Sequence, residues 1–139
     1  MSNLQIIKDF PDNFTFGIAT SSYQIEGNSF GNSGLSHWDH FSKIKGNVYN
    51  NESGKIACAH VLNYKEDIKL ITEAGFSAYR FSFSWPRILP DGKGSINKEG
   101  ISFYDKLIDH LLENNLKTYS TLHHWDLPVN LMSKGGWKN

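Results

Sequence analysis

Residues 78–85 read AYRFSFSW, and this stretch decides the architecture. Tyr79, Phe81, Phe83 and Trp85 alternate with Arg80, Ser82 and Ser84. Period two is the mark of a β-strand with one apolar and one polar face, and the spacing predicts a strand over 78–85.

Upstream, residues 60–74 carry Val61, Tyr64, Ile68 and Ile71 three and four positions apart, which predicts a helix stopped by Gly75. Downstream, the loop PRILPDGKGSIN leads to Asn97, a suitable N-cap for a second helix running to about Glu113, with Tyr104, Leu107, Ile108 and Leu111 as its buried stripe. Two more strands are expected, over 14–20 (FTFGIAT) and over 117–124. Residues 21–57, rich in Gly, Asn and Ser, form a connection too long to be plain, and loops of that size in compact domains usually carry function. The tail WDLPVNLMSKGGWKN, from 125 to the end, is expected to be loop.

The resulting order is strand, helix, strand, helix, strand. Such alternation implies a parallel sheet with right-handed crossovers, both helices lying on one face. The aromatic side of 78–85 would meet those helices and Arg80, Ser82 and Ser84 would face away. An open two-sided α/β sheet needs both faces apolar, whereas a polar second face suits the inside of a barrel. The expected fold is α/β, an N-terminal segment of a (β/α)8 TIM barrel with about three parallel strands and two helices, residues 1–139 forming one incomplete domain.

Composition narrows the function. With 39% hydrophobic and 14% aromatic residues among 139, the chain can bury a core. Fourteen basic residues balance fourteen acidic ones, and Lys43 with Lys45 is the densest basic pair. Nucleic acid and anionic membrane surfaces are therefore poor partners, and a neutral, polar ligand is expected. The lone Cys58 fits a structural role in a reducing compartment. No basic head precedes an apolar stretch at the N-terminus, and no apolar run nears the ~18–20 residues that span a bilayer, so a cytoplasmic location is the expectation.

In a (β/α) barrel the working residues sit at the C-terminal ends of strands. Gln24 follows the first predicted strand, Trp85 closes the second, and His124 with Trp125 closes the third. Gln and His bond hydroxyls and Trp offers a flat apolar wall, a set suited to a sugar. Arg80 points inward by parity with no acidic residue on its strand face, so its carboxylate partner must come from elsewhere. His37-x-x-His40 lacks the further ligands of a metal site, and no metal or organic cofactor is expected.

FGIATSSYQIEG at 16–27, SHWDHF at 36–41, NYKEDIKLITEAGFSAYRFSFSWPRILPDGKG at 63–94 and TLHHWDLP at 121–128 together resemble glycoside hydrolase family 1, in that family's order. The resemblance runs from about Phe10 to the end of the chain and implies a retaining β-glucosidase acting on β-glucosides or oligosaccharides. By the same resemblance Gln24, His124 and Trp125 hold the sugar at the scissile subsite, and Arg80 stands beside the nucleophilic glutamate. His123 departs from the tyrosine of many relatives and should point away from the sugar by strand parity.

Retaining glycosidases use two carboxyl groups about 5–5.5 Å apart. The family's Asn-Glu-Pro and Thr-Glu-Asn-Gly motifs do not occur here: Asn51-Glu52 is followed by Ser53, and Lys98-Glu99-Gly100 opens the second helix. Glu26, Asp39 and Asp126 are expected to brace the loops rather than catalyse. No catalytic residue is thus expected in this chain, which should be inactive alone. Its unpaired strand edges and open sheet face would call for the rest of a barrel or a completing chain. The alternatives are a non-catalytic sugar-binding or assembly module and a fragment of a 6-phospho-β-glucosidase.

Overall fold

The computed structural model describes residues 10–138. Three strands, β1 (Gly17–Ala19), β2 (Ala78–Ser82) and β3 (Lys117–Thr121), pair in sequence order, and both pairings are parallel. Ala19 lies opposite Arg80, and Arg80 opposite Tyr119, so these three share a face. The approach of β1 to β2 is close: a Cβ on Gly17 would sit 2.7 Å from the Ala78 carbonyl oxygen.

Six α-helices occur among the described residues: α1 (Ser22–Ile25), α2 (His37–Lys43), α3 (His60–Glu73), α4 (Trp85–Ile88), α5 (Lys98–Glu113) and α6 (Val129–Met132). The long ones, α3 and α5, are the crossovers. The Asn97 side chain accepts from Glu99 N–H and starts α5. Asn115, at φ +56°, marks the left-handed stop beyond it. Gly75 does the same after α3 at φ +81°, where a Cβ would meet nothing within 4 Å, so backbone conformation alone asks for glycine.

Both crossovers pack on one face of the sheet, as alternation requires. Tyr79 and Phe81 of β2 are 1% and 3% exposed and lie among Ile68, Ile71, Phe103, Leu107, Leu111 and Leu116. Phe81 stacks on Tyr104 at 6.3 Å between centroids. Phe103 joins this core beside the expected stripe, while Ile108, Val61 and Tyr64 are only partly buried against it. The opposite face carries Arg80 and Tyr119, both exposed. None of the described helices is long and apolar enough to cross a membrane.

The strands are shorter than the alternation suggests. The expected 78–85 ends at Ser82, where Pro86 in the first turn of α4 ends the extended run. The alternating apolar pattern continues because Phe83 turns back onto Phe81 and Tyr104, at 5.2 and 4.8 Å. Trp85 therefore opens α4 instead of closing a strand. The expected 14–20 shrinks to Gly17–Ala19, with Phe10, Phe14 and Phe16 clustered at 4.5–5.1 Å before it. The third strand ends at Thr121, not His124.

Two helices were expected, and the other four run only four to seven residues. A helix of one or two turns shows too few residues for a periodic signal. The tail expected to be loop holds α6, begun at Pro128, and a 3₁₀ turn at Gly136–Lys138.

Candidate functional site

The strand ends place each candidate. Just past β1, α1 carries Gln24, exposed, with Ser21 Oγ donating to its Oε1 at 2.6 Å. The Gln24 amide NH₂ has no partner among the described residues and remains a donor. Past β3, His124 is half-buried and its ring lies 4.6 Å from that of Trp125. Trp125 is 61% exposed and its backbone is left-handed, φ +75°. A tryptophan held in that region is a genuine outlier, kept there by its surroundings.

Arg80 projects from the polar face of β2, and its Nε donates to Thr121 Oγ1 of β3 at 3.0 Å. No carboxylate pairs with it among the described residues. It is an exposed cation with most of its donors uncommitted, beside an apolar ledge of Gly17, Ala19 and Ala78 and the ring of Tyr119.

The remaining candidates go elsewhere. Trp85 is tied by its indole N–H to the Gly92 carbonyl at 3.0 Å and meets His123 edge-on at 6.2 Å. His123 also packs on Trp137 at 5.3 Å, so its ring is engaged by two tryptophans while that of His124 lies against Trp125. His37 and His40 belong to α2, and no group of three His, Cys, Asp or Glu among the described residues could hold a metal ion.

Beneath the strand ends lies a buried polar layer. Asp39 closes a capping box at the start of α2, accepting from Ser36 N–H at 2.7 Å and Ser36 Oγ at 2.8 Å, and also from Asn28 Nδ2. Asp126, 1% exposed, accepts from Ser22 Oγ at 2.6 Å. Glu26 Oε2 pairs with Arg87 Nε at 2.7 Å, while Tyr104 Oη donates to Glu26 Oε1 at 2.7 Å. All three carboxylates are loop braces, the role the sequence suggests for them.

Arg87 itself is the residue that sequence reading passes over. It is 1% exposed, and its Nη1 and Nη2 reach the carbonyls of Phe30 and Gly27 at 2.7 and 2.9 Å. The available signal was its setting, an arginine enclosed by Pro86, Ile88, Leu89 and Pro90. A charge there has to be buried or to break the apolar run. Burial pushes the Glu26 carboxyl above its usual range, opposed by the pull of Arg87. Burial and the nearby Glu26 together lift the Tyr104 phenol well above its ordinary value, keeping it a donor.

The loops after β1 and β3 are also joined by backbone. His37 N–H bonds the Leu127 carbonyl at 2.8 Å and Val129 N–H the Leu35 carbonyl at 2.9 Å, around an antiparallel bridge between Ser36 and Pro128. Gln24 and the His124–Trp125 pair thus stand on segments fastened to each other.

Residues 6–139 match the pattern of Glycosyl hydrolase family 1. The 1,4-beta-D-glucan glucohydrolase of Thermotoga neapolitana is 51% identical over 134 residues, covering 96% of this chain and 32% of that protein. Beta-glucosidase 42 of Arabidopsis thaliana is 52% identical over 134 residues, covering 94% and 27%. The solved family 1 β-glucosidase of Thermotoga maritima superposes with a TM-score of 0.89 at 50% identity, covering 94% of this chain and 30% of that one. A β-glucosidase from the same organism has also been solved in complex with deoxynojirimycin. The chain spans between about a quarter and a third of the length of these relatives. It belongs to glycosyl hydrolase family 1, and its three strands and their crossovers are the N-terminal segment of a (β/α)8 barrel.

Proposed function

We propose that this segment is the glycone-binding wall of a β-glucosidase that hydrolyses terminal β-D-glucosidic bonds with retention. The observation that carries the reading is Arg80: an exposed guanidinium on the polar sheet face with one bond, to Thr121, and no carboxylate among the described residues. A glutamate brought beside it would gain a bidentate partner and a lowered pKa, as a nucleophile working ionised requires. Gln24 and His124 bond the hydroxyls of the glycone, and these bonds strengthen as the ring flattens toward an oxocarbenium-like transition state. Trp125 offers its exposed indole as a platform for the apolar face of the sugar.

The two catalytic carboxyl groups lie outside residues 1–139 in this reading, and the segment is one part of a larger domain completed by further chain or by a partner polypeptide. The cytoplasm is its proposed location. The names of the relatives, β-glucosidases and a glucan glucohydrolase, favour unphosphorylated glucosides over 6-phosphoglucosides.

The test is Arg80→Met in the protein at its natural length, with hydrolysis of 4-nitrophenyl β-D-glucoside followed against pH. Turnover falls and the acidic limb of the profile moves to higher pH, because the nucleophile loses its cation. An acidic limb that stays in place removes Arg80 from that role. Residues 1–139 expressed alone should not hydrolyse this glucoside, and turnover by them would overturn the assignment of the chemistry to other residues. His124→Ala should slow glycosyl-enzyme formation more than it weakens ground-state binding, and the reverse would make His124 a uniform binder.

A further inference from the structure

We infer that Ser22, Ser82 and Asp126 act as positioning residues that set Gln24 and the His124–Trp125 pair relative to one another. The inference rests on the glycone-binding role proposed above for those three. The cluster joins the ends of all three strands. Ser22 opens α1 two residues before Gln24, Ser82 is the last residue of β2, and Asp126 follows Trp125 directly.

Its two hydroxyl hydrogen bonds run toward Asp126. Ser82 Oγ donates to Ser22 Oγ at 3.2 Å, Ser22 Oγ donates to Asp126 Oδ2 at 2.6 Å, and Ser22 N–H donates back to Ser82 Oγ at 2.8 Å. The Ser22 proton points at Asp126 Oδ2, which leaves the Ser22 oxygen as the acceptor for the hydroxyl of Ser82. The three are 2%, 1% and 1% exposed, so water does not compete for these bonds.

The elements that carry the candidate ligands cannot hold themselves. α1 is a single turn of four residues whose N-cap, Ser21, makes no side-chain capping bond. A helix that short has no stability of its own. Trp125 keeps a left-handed backbone that an L-residue with a bulky side chain avoids. Ser21 holds Gln24 from within the first loop, and the buried side-chain bond that ties this loop to the segment carrying Trp125 is that between Ser22 and Asp126. The Glu26–Arg87–Tyr104 group fixes the base of the first loop but makes no hydrogen bond to the described residues after β3. Asp126 Oδ1 is buried with no partner among the described residues, so the hold of this carboxylate on the first loop goes through Ser22.

The experiment is hydrogen exchange together with a double-mutant cycle in the protein at its natural length. Ser22→Ala removes one hydroxyl and leaves the packing in place. Amide exchange should quicken at residues 123–126, in the other loop, while α5 stays protected. Asp126→Ala should do the same at residues 22–25. Ser22→Ala, Asp126→Ala and the double variant should each lower kcat/KM on 4-nitrophenyl β-D-glucoside by a similar factor, about 10- to 100-fold. Asp126→Asn, which keeps an acceptor oxygen, should recover part of that loss.

Exchange that quickens only in the substituted loop, or losses that multiply in the double variant, would overturn the inference. Should Asp126→Ala unfold the protein, α5 loses protection as well, and Ser22→Ala with Asp126→Asn decide the question alone. Failure of the glycone-binding reading looks different: the unsubstituted protein then neither hydrolyses the glucoside nor binds deoxynojirimycin, whatever the exchange pattern shows.

Discussion

The two arginines of the chain occupy opposite regions. Arg87 lies in the buried layer under the loops, with a carboxylate and two carbonyls taking up its donors. Arg80 stands on the open face of the sheet, seven residues earlier, with a threonine as its one bonded partner among the described residues. The difference is one of desolvation. A guanidinium taken out of water has to find all its acceptors within the fold, and those acceptors then hold the chain that supplies them. A guanidinium left in water has no such debt and can be given to a ligand or to a carboxylate from another segment. Arg87 is buried and satisfied, and so part of the architecture; Arg80 is exposed, with donors left over for the role proposed for it.

The sharpest way to break this contrast is Arg87→Met. It strands Glu26 in the interior and should cost about 3–5 kcal/mol, read as a fall in the urea midpoint of the natural-length protein. A cost below about 1 kcal/mol would mean that the pair is not the anchor described. Tyr104→Phe tests the same layer more gently. Glu26 Oε1 loses a donor and Ser84 N–H loses its acceptor, and about 1–3 kcal/mol should go with them.

A third test uses protons. His60 is 2% exposed, and burial lowers its pKa below the usual histidine value despite the pull of Asp67 at 2.6 Å. The unfolded chain therefore takes up a proton at a higher pH than the folded one does. The contribution of His60 is fully present above about pH 6.5 and is lost as pH falls from there toward the folded pKa, at up to about 1.4 kcal/mol per pH unit. Urea midpoints at pH 7.5 and 5.5 measure it, and His60→Gln should flatten that part of the dependence. The smallest effect belongs to Arg80→Met, which should change stability by no more than about 0.5 kcal/mol while lowering turnover. A large loss of stability there would place Arg80 with Arg87 and erase the contrast.

The same division governs what could be read from residues alone. The alternation of Tyr79 and Phe81 with Arg80 and Ser82 reveals the two faces of β2, because successive side chains of a strand point to opposite sides. On the polar face Arg80 alone is exposed, and Ala78 and Ser82 are buried. The stripe of α5 and the stop at Gly75 are legible for equally local reasons. The positions of Gln24, His124 and Trp125 past the ends of β1 and β3 were legible too, and a barrel offers such positions to its ligands. Arg87 shows locally only as a charge set among Pro86, Ile88, Leu89 and Pro90; the carbonyls of Gly27 and Phe30 that hold it lie about sixty residues away, and no local pattern announces a hydrogen bond across that distance. The short helices α1, α4 and α6 were equally hidden, since four residues show no period and tertiary contacts hold them.

Sequence by itself determined the order of strands and crossovers, the apolar and polar faces of β2, and the family, since each is written in spacing or in long motifs. Tertiary structure alone decided where the strands end, which arginine is architecture and which is left open, and that Ser22, Ser82 and Asp126 meet. Local spacing records which side of an element is buried. It does not record which polar groups, distant in the chain, will satisfy one another once water has been excluded.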